Sequence, residues 1–316
     1  MTMNHPTSAP TQAAVEPATR PVSDREFVLF QKLIYREAGI HLVPAKKALL
    51  EARLTRRLRE LGLCSFTAYY RHILDADHSD ELIVLLDRIA TNETHFFREP
   101  KQFEFLENEV FPAWKERNRS AGGTRHIRVW SAACSSGEEP YSLAMMLWNH
   151  FPPGSGWDFE ILATDLSTRA LSTGAAGIWP IDKASEIPQG YLKKYMLKGS
   201  GEQSGNMKAG AELRSVVRFE RLNLNDDDYP VTGNLDLIFC RNVLIYFDTQ
   251  SRARVIQRLV DRLAPNGFLF VGHAESLTGV TDRVRYIVPT IYTITDQPQT
   301  PLRPRGMKSQ GVLTTG

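Results

Sequence analysis

Residues 127–148 read IRVWSAACSSGEEPYSLAMMLW. Ile127 to Ala133 carry the β-branched, aromatic and small residues of a buried strand. Cys134-Ser135-Ser136-Gly137 is a short turn of small residues, and Glu138 opens an apolar stretch of helical period. Strand, tight turn and helix in immediate succession make one β–α unit, and the same texture recurs downstream. Strands are expected at 159–164, 216–221, 235–240, 267–272 and 286–295, with helices at 168–176 and 250–263. Alternating strands and helices predict a mostly parallel sheet covered on both faces. No full-length helix separates the last two strands, so an antiparallel final strand is expected.

Upstream the pattern is helical only. Ser23 with Glu26 three residues on forms a capping box, and a first helix should end near Gly39. Pro44 and Gly62 bracket a second helix at 45–61. Further helices are expected around 66–74, 80–90 and 101–115, and a linker at 117–124. The chain thus divides into a helical domain at 23–116 and an α/β domain at 117–296. The stretch 177–216 interrupts the alternation with the glycine-bearing KGSGEQSGNMKAG (198–210). It reads as either a disordered loop or the turns of a small inserted β subdomain. The Pro- and Thr-bearing ends, 1–22 and 297–316, read as disordered tails.

Composition narrows the function. Of 316 residues, 42% are hydrophobic and 23% charged, a globular balance. Thirty-eight basic residues against 36 acidic ones leave a net charge of +2, which excludes a strongly basic coat. Three scattered cysteines, Cys64, Cys134 and Cys240, give neither a disulfide framework nor a zinc spacing, and fit a reducing compartment. His41, His72, His78, His95, His126, His150 and His273 also lack a metal spacing, so no metal is expected. No apolar run approaches the ~20 residues of a membrane span, and the first residues have no signal-peptide character. A cytoplasmic protein is expected.

In an open α/β sheet, ligands bind beyond the carboxyl ends of the strands. The first such end, SSGEEP (135–140), lacks the GxGxxG phosphate pattern. Its acids Glu138 and Glu139 repel phosphate and attract a cation, or simply favour the first turn of a helix. Asp165 ends the second strand as a ribose acceptor or a helix cap. Asn223-Leu224 follows the third. Arg241-Asn242, then an apolar run to Tyr246-Phe247-Asp248, follows the fourth as a pocket wall or a plain loop. Before the first strand, TNETHFFRE (91–99) supplies Phe96 and Phe97 either as part of a lid or as a cap with core anchors. Cys134 and Cys240 read as small buried packers.

TNETHFFRE, WSAACSSGEEPYSLAM, ATDLS, the NL pair and IFCRNVLIYFD, in this order, resemble the chemotaxis receptor methyltransferases, the CheR-type protein-glutamate O-methyltransferases. The resemblance runs from about residue 27 to 295. It implies a Rossmann-like S-adenosylmethionine-dependent methyltransferase domain, an N-terminal all-helical domain and a small inserted antiparallel β subdomain. The implied cofactor contacts are Asn92, Thr94, Arg98, Glu138, Asp165, Asn223, Leu224, Arg241 and Asn242. Arg98 would hold the cofactor carboxylate, Glu138 its ammonium, and Tyr246 would lie near the transferred methyl. Arg98 and Tyr246 are therefore the implied catalytic pair. The product would be S-adenosylhomocysteine, and the substrate the cytoplasmic helical domain of methyl-accepting receptors. In some members the β subdomain also docks on a receptor C-terminal peptide. The membrane is met only through those receptors, and nucleic acid is no partner.

This chemistry suits the residues. A glutamate with a pKa of about 4.3 is already ionised at neutral pH and needs no general base. An apolar wall of Phe96, Phe97 and Tyr246 would favour attack of an anion on a cation. The second helix holds six basic residues against two acidic ones between Pro44 and Gly62. Lys46, Arg53, Arg56, Arg57 and Arg59 form either an ordinary solvated face or a dock for an acidic helix. Two rival functions stand beside this one: a non-catalytic cofactor-binding regulator and a nucleic-acid methyltransferase. The second is disfavoured by the near-neutral charge and by CRNVLIYF (240–247) where an Asn/Asp-Pro-Pro-Tyr motif would stand.

Overall fold

The computed structural model describes residues 20–78, 80–121 and 125–295. The expected tails lie outside the described residues apart from Arg20–Pro21–Val22 at the front.

The first unit holds four helices: α1 (Asp24–Ala38), α2 (Lys47–Glu60), α3 (Phe66–Leu74) and α4 (Glu81–Ile89). Helix α1 starts on the expected capping box. The Ser23 hydroxyl accepts from the Glu26 N–H, and a Glu26 oxygen accepts from the Ser23 N–H at 3.0 Å. It stops at Gly39, whose φ of 67° favours a residue without a side chain; a Cβ there would stand 2.7 Å from the Asn225 amide oxygen. Phe27, Phe30, Leu33 and Ile34 of α1 meet Leu50, Leu54 and Leu58 of α2, with Phe66 and Tyr69 completing the core. That core closes at Ile89.

The next helix does not join it. α5 (Pro100–Phe105) continues through a five-residue π turn, Leu106–Val110, into α6 (Phe111–Ala121). Phe103, Leu106, Val110, Phe111 and Trp114 pack into the core of the sheet. The helix also runs past the expected start of the linker at 117. Its apolar stripe matches one face of the sheet, and ring contacts such as Phe103 with Phe239 at 6.3 Å fix it there.

The sheet has seven strands: β1 (Arg125–Ala132), β2 (Trp157–Asp165), β6 (Val217–Arg221), β7 (Leu235–Cys240), β8 (Leu263–Val271), β9 (Val284–Val288) and β10 (Ile291–Ile294). Their order is β6-β2-β1-β7-β8-β10-β9, parallel from β6 to β8. α7 (Glu138–His150), α8 (Thr168–Ala176) and α11 (Thr249–Val260) cover its faces. The single last strand expected at 286–295 is instead a hairpin, β9 and β10, whose inner strand β10 pairs antiparallel to β8 and leaves β9 at the edge. Pro289 lacks an N–H for a ladder, and Thr290, at φ 68°, makes the turn.

The interruption at 177–216 folds as an antiparallel three-stranded sheet, β3 (Ile178–Pro180), β5 (Asn206–Ala209) and β4 (Met196–Lys198), in the order β3-β5-β4. Two short helices, α9 (Gln189–Tyr195) and α10 (Ala211–Val216), flank it.

Glu26 gives the helical unit a measurable acid sensitivity. Burial alone would raise its pKa, but bonds from Ser23, Thr67 and Arg20 outweigh burial and bring it down to about 2. A carboxylate whose folded pKa is depressed stabilises the fold above its unfolded pKa and loses that contribution as pH falls to the folded value. Glu26→Gln should therefore cost about 1 kcal/mol at neutral pH. The gap between mutant and wild type should close from pH ~4.5 to ~2, as read from urea melts across that range.

Candidate functional site

β1 and β7 end side by side, Ala132 opposite Cys240, and β2 ends one residue later at Asp165. The chain reverses direction across the sheet between β1 and β7, which places a crevice beyond these carboxyl ends. A cavity of about 400 Å³ fills it. Asn92, Thr94, Arg98, Asp165, Asn223, Leu224, Arg241, Asn242 and Tyr246 all line it, as does Lys46 at its mouth. Lys46 and Tyr246, 200 positions apart in sequence, thus face one space.

The loops that build this space are strained in a consistent way. Phe97, Glu99, Ala133, Ser135 and Asn242 all have φ between 51° and 66° although none is glycine. Left-handed backbone in side-chain-bearing residues persists only where neighbours over-determine it. Gly137, at φ 96°, starts α7 where a Cβ would meet the backbone of Gly174 at 2.9 Å. The Asp165 carboxylate accepts from the Ser135 and Ser167 N–H groups, each at 2.8 Å. Burial pushes its pKa up, and these bonds oppose the shift.

Glu138 lies outside the cavity. It is 1% exposed, accepts from the Ser136 hydroxyl at 2.7 Å and pairs with Lys183 Nζ at 2.8 Å. Its neighbour Glu139 lines the cavity, accepting from Ser131 Oγ and from Arg241 Nε, each at 2.6 Å. The first helical turn rotates successive side chains by about 100°, so of two adjacent acids only one faces the ligand space. Phe96 and Phe97 are also turned away. Phe96 meets Trp179 edge-on at 5.1 Å, and Phe97 stacks on Tyr191 at 5.4 Å. The inserted subdomain supplies those aromatic partners. The apolar lining comes instead from Ala38, Ile40, Leu42, Val43 and Leu49 of the helical unit together with Leu222, Leu224, Val243 and Ile245 of the α/β domain.

That unit is fastened directly to the site. The His41 N–H donates to the Tyr246 carbonyl at 2.8 Å, and Ile40 forms a β-bridge with Phe247. Asn223 and Asn225 donate to the Glu37 and Arg36 carbonyls at 2.6 and 3.2 Å, satisfying the end of α1. Within the basic helix α2, Arg53 donates to the Ile89 and Ala90 carbonyls and to Thr91. Arg57 pairs with Glu81 at 2.5 Å and Glu60 at 3.2 Å. Both are internal braces, whereas Arg56 and Arg59 face solvent. Cys134 and Cys240 are buried and free, and burial raises both thiols well above their ordinary range, which suits packing rather than nucleophilic attack.

Glu275 was not legible in the sequence. It is 3% exposed and accepts from the N–H groups of Gly272, Asn242 and Ile245 at 2.7, 2.8 and 3.2 Å. It holds the loop that carries Asn242 and Tyr246. No sequence signal marked it, because its partners are main-chain groups.

The donor set fits S-adenosylmethionine. An acid at the end of β2 suits ribose hydroxyls, while Arg98 and Glu139 offer opposite charges to an amino-acid moiety. The acidic turn 135–139 offers nothing to a pyrophosphate. Sheet order, terminal hairpin and donor set together define a Rossmann-like methyltransferase. The family description "CheR methyltransferase, SAM binding domain" matches residues 92–293, and "CheR methyltransferase, all-alpha domain" matches 25–90. A chemotaxis protein methyltransferase of Borreliella burgdorferi is 38% identical over 263 residues, covering 83% of this chain and 91% of that protein. Chemotaxis protein methyltransferase 2 of Pseudomonas aeruginosa is 36% identical, covering 85% and 92%. The Escherichia coli chemotaxis protein methyltransferase is also 36% identical, covering 86% and 92%. The chain belongs to the CheR methyltransferase family. Among the described residues no helix is long and apolar enough to cross a membrane.

Replacing Glu275 by Gln removes one of the two oxygens that together accept from three N–H groups. The Kd for S-adenosylhomocysteine should rise, on the order of 10-fold, with a loss of about 1–3 kcal/mol in fold stability. Calorimetry and a thermal melt measure the two effects.

Proposed function

We propose that this methyltransferase converts glutamate side chains on methyl-accepting chemotaxis receptors into methyl esters, in the cytoplasm, releasing S-adenosylhomocysteine. Membership of the CheR family carries the reading. The placement of the helical unit's basic helix α2 beside the cavity mouth supports it.

When bound, S-adenosylmethionine supplies a methyl group made electrophilic by its sulfonium. The chain's own residues bind and orient. Arg98 would pair with the cofactor carboxylate, Glu139 with its ammonium, and Asp165 with ribose hydroxyls. Asn92, Thr94, Asn223, Leu224, Arg241 and Asn242 complete the wall. The acceptor glutamate is ionised at neutral pH, so the chain need hold no base for it. Ile40, Val43 and Leu49 would exclude water from the approach, and Tyr246 would orient the incoming carboxylate. Fixing two reactants in line is worth about 7–11 kcal/mol, which positioning alone can supply here.

Lys46, Arg56 and Arg59 are the exposed basic groups of the docking face, and Arg53 and Arg57 support it from within. A receptor C-terminal peptide would add to the inserted three-stranded sheet at an edge strand, such as β4 with its exposed Leu197.

Protein incubated with methyl-labelled cofactor and receptor-rich membranes should place base-labile label on the receptor band. Label in nucleic acid, or bound cofactor without transfer, would reject the reading. The double reversal Arg56→Glu with Arg59→Glu should raise the receptor KM several-fold while leaving the cofactor Kd unchanged. Tyr246→Phe should lower kcat without altering the cofactor Kd; unchanged turnover would remove its hydroxyl from the reaction.

A further inference from the structure

The buried acid beside the cavity has a partner on the inserted subdomain. Glu138 opens α7, where a carboxylate is favoured by the helix dipole. At 1% exposure it has lost its water, and Lys183 supplies a cation at 2.8 Å. Lys183 stands on the short turn Ile181–Glu186 that follows β3. Its ammonium also donates to the Thr94 carbonyl at 3.1 Å. Three residues on, the Glu186 carboxylate accepts from the Phe96 N–H at 2.9 Å. Trp179 of β3 donates to the Ser136 carbonyl at 3.1 Å. The insertion therefore grips two cavity loops: 134–138 and the segment bearing Asn92, Thr94 and Arg98.

We propose that Lys183 and Glu138 form a positioning pair, through which the inserted subdomain holds the entry segment 92–98 in its cofactor-binding geometry. The inference rests on the reading that this cavity takes S-adenosylmethionine. Glu138 acts on the ligand through Lys183 and Thr94, and Glu139 is the acid that faces the ligand. Without Lys183 a buried carboxylate stands without its cation, so it recruits water or swings outward, and the Thr94 carbonyl loses its donor. The segment then samples other conformations, and binding requires that they be frozen out. The pair's effect should appear in cofactor affinity and not in receptor recognition, because Lys183 bonds Glu138 and the Thr94 carbonyl and not α2 or β4.

The test compares wild type with Lys183→Met, Lys183→Arg, Glu138→Gln and the double variant Glu138→Gln with Lys183→Met. Calorimetry with S-adenosylhomocysteine measures Kd, and the ester assay measures both KM values and kcat. Each of Lys183→Met and Glu138→Gln should raise the Kd on the order of 10-fold, with the receptor KM unchanged. Lys183→Arg should recover most of the loss. The double variant should bind no worse than the weaker single, since both act on one contact. It leaves no orphan charge, so it keeps the comparison valid if Lys183→Met alone unfolds. Wild-type affinity in Lys183→Met beside weakened Glu138→Gln would show that Glu138 touches the cofactor directly and would overturn the pair. Additive losses in the double variant would overturn it as well. Failure of the wild type to bind would instead strike the cofactor reading itself.

Discussion

A guanidinium sits at the centre of this molecule with almost no access to water. Arg241, 6% exposed, leaves the end of β7 and donates from Nε to Glu139 at 2.6 Å. Its Nη1 donates to the Arg98 carbonyl at 2.6 Å and to Gln102 at 3.0 Å. The rings of Phe103 and Phe239 lie 5.6 and 5.7 Å from its charge. A buried charge that loses one partner costs about 3–5 kcal/mol, so its partners are held to their places. Those partners come from α7, from the entry segment and from α5. One side chain thereby locks together the loops that line the cavity. The left-handed backbone at Phe97, Glu99 and Asn242 is the strain that this lock sustains.

The second constraint is the seam between the helical unit and the sheet. Asn223 and Asn225 satisfy the carbonyls at the end of α1, and the Tyr35 hydroxyl donates to Asp248 at 2.6 Å. Because Asn223 also lines the cavity, one residue serves both the seam and the ligand space. The cavity is lined from both units, by Ile40, Leu42, Val43 and Leu49 on the helical side and by Asp165, Leu222, Arg241 and Ile245 on the sheet side, so the join between them shapes the site. The start of α2 then lies at the cavity, through Lys46 and Leu49, so the docking face proposed for that helix would border the cofactor space.

The sequence announced most strands and helices through periodicity, caps and glycine stops. Leu235–Cys240 and Thr168–Ala176 fall where the pattern put them. It was less informative where two similar residues compete. Glu138 and Glu139 are chemically equivalent on paper, and only the helical turn shows that Glu139 meets the cavity while Glu138 meets Lys183. Arg53 and Arg57 shared a basic stripe with their neighbours, yet their heads are spent on carbonyls and on Glu81. Phe96 and Phe97 read equally as part of a lid or as core anchors, and their packing on Trp179 and Tyr191 makes them anchors of the insertion.

What the sequence determined by itself was the α/β class with its helical preface, and a set of polar residues at strand ends. Those depend on local period and on short motifs, which a linear string preserves. What only tertiary structure decided was which acid lines the cavity, which arginines face solvent, and the contacts of Glu275. Each of these depends on partners far away in the chain or on main-chain N–H groups that every sequence contains alike, and a contact of that kind leaves no pattern to read until the chain has closed on itself.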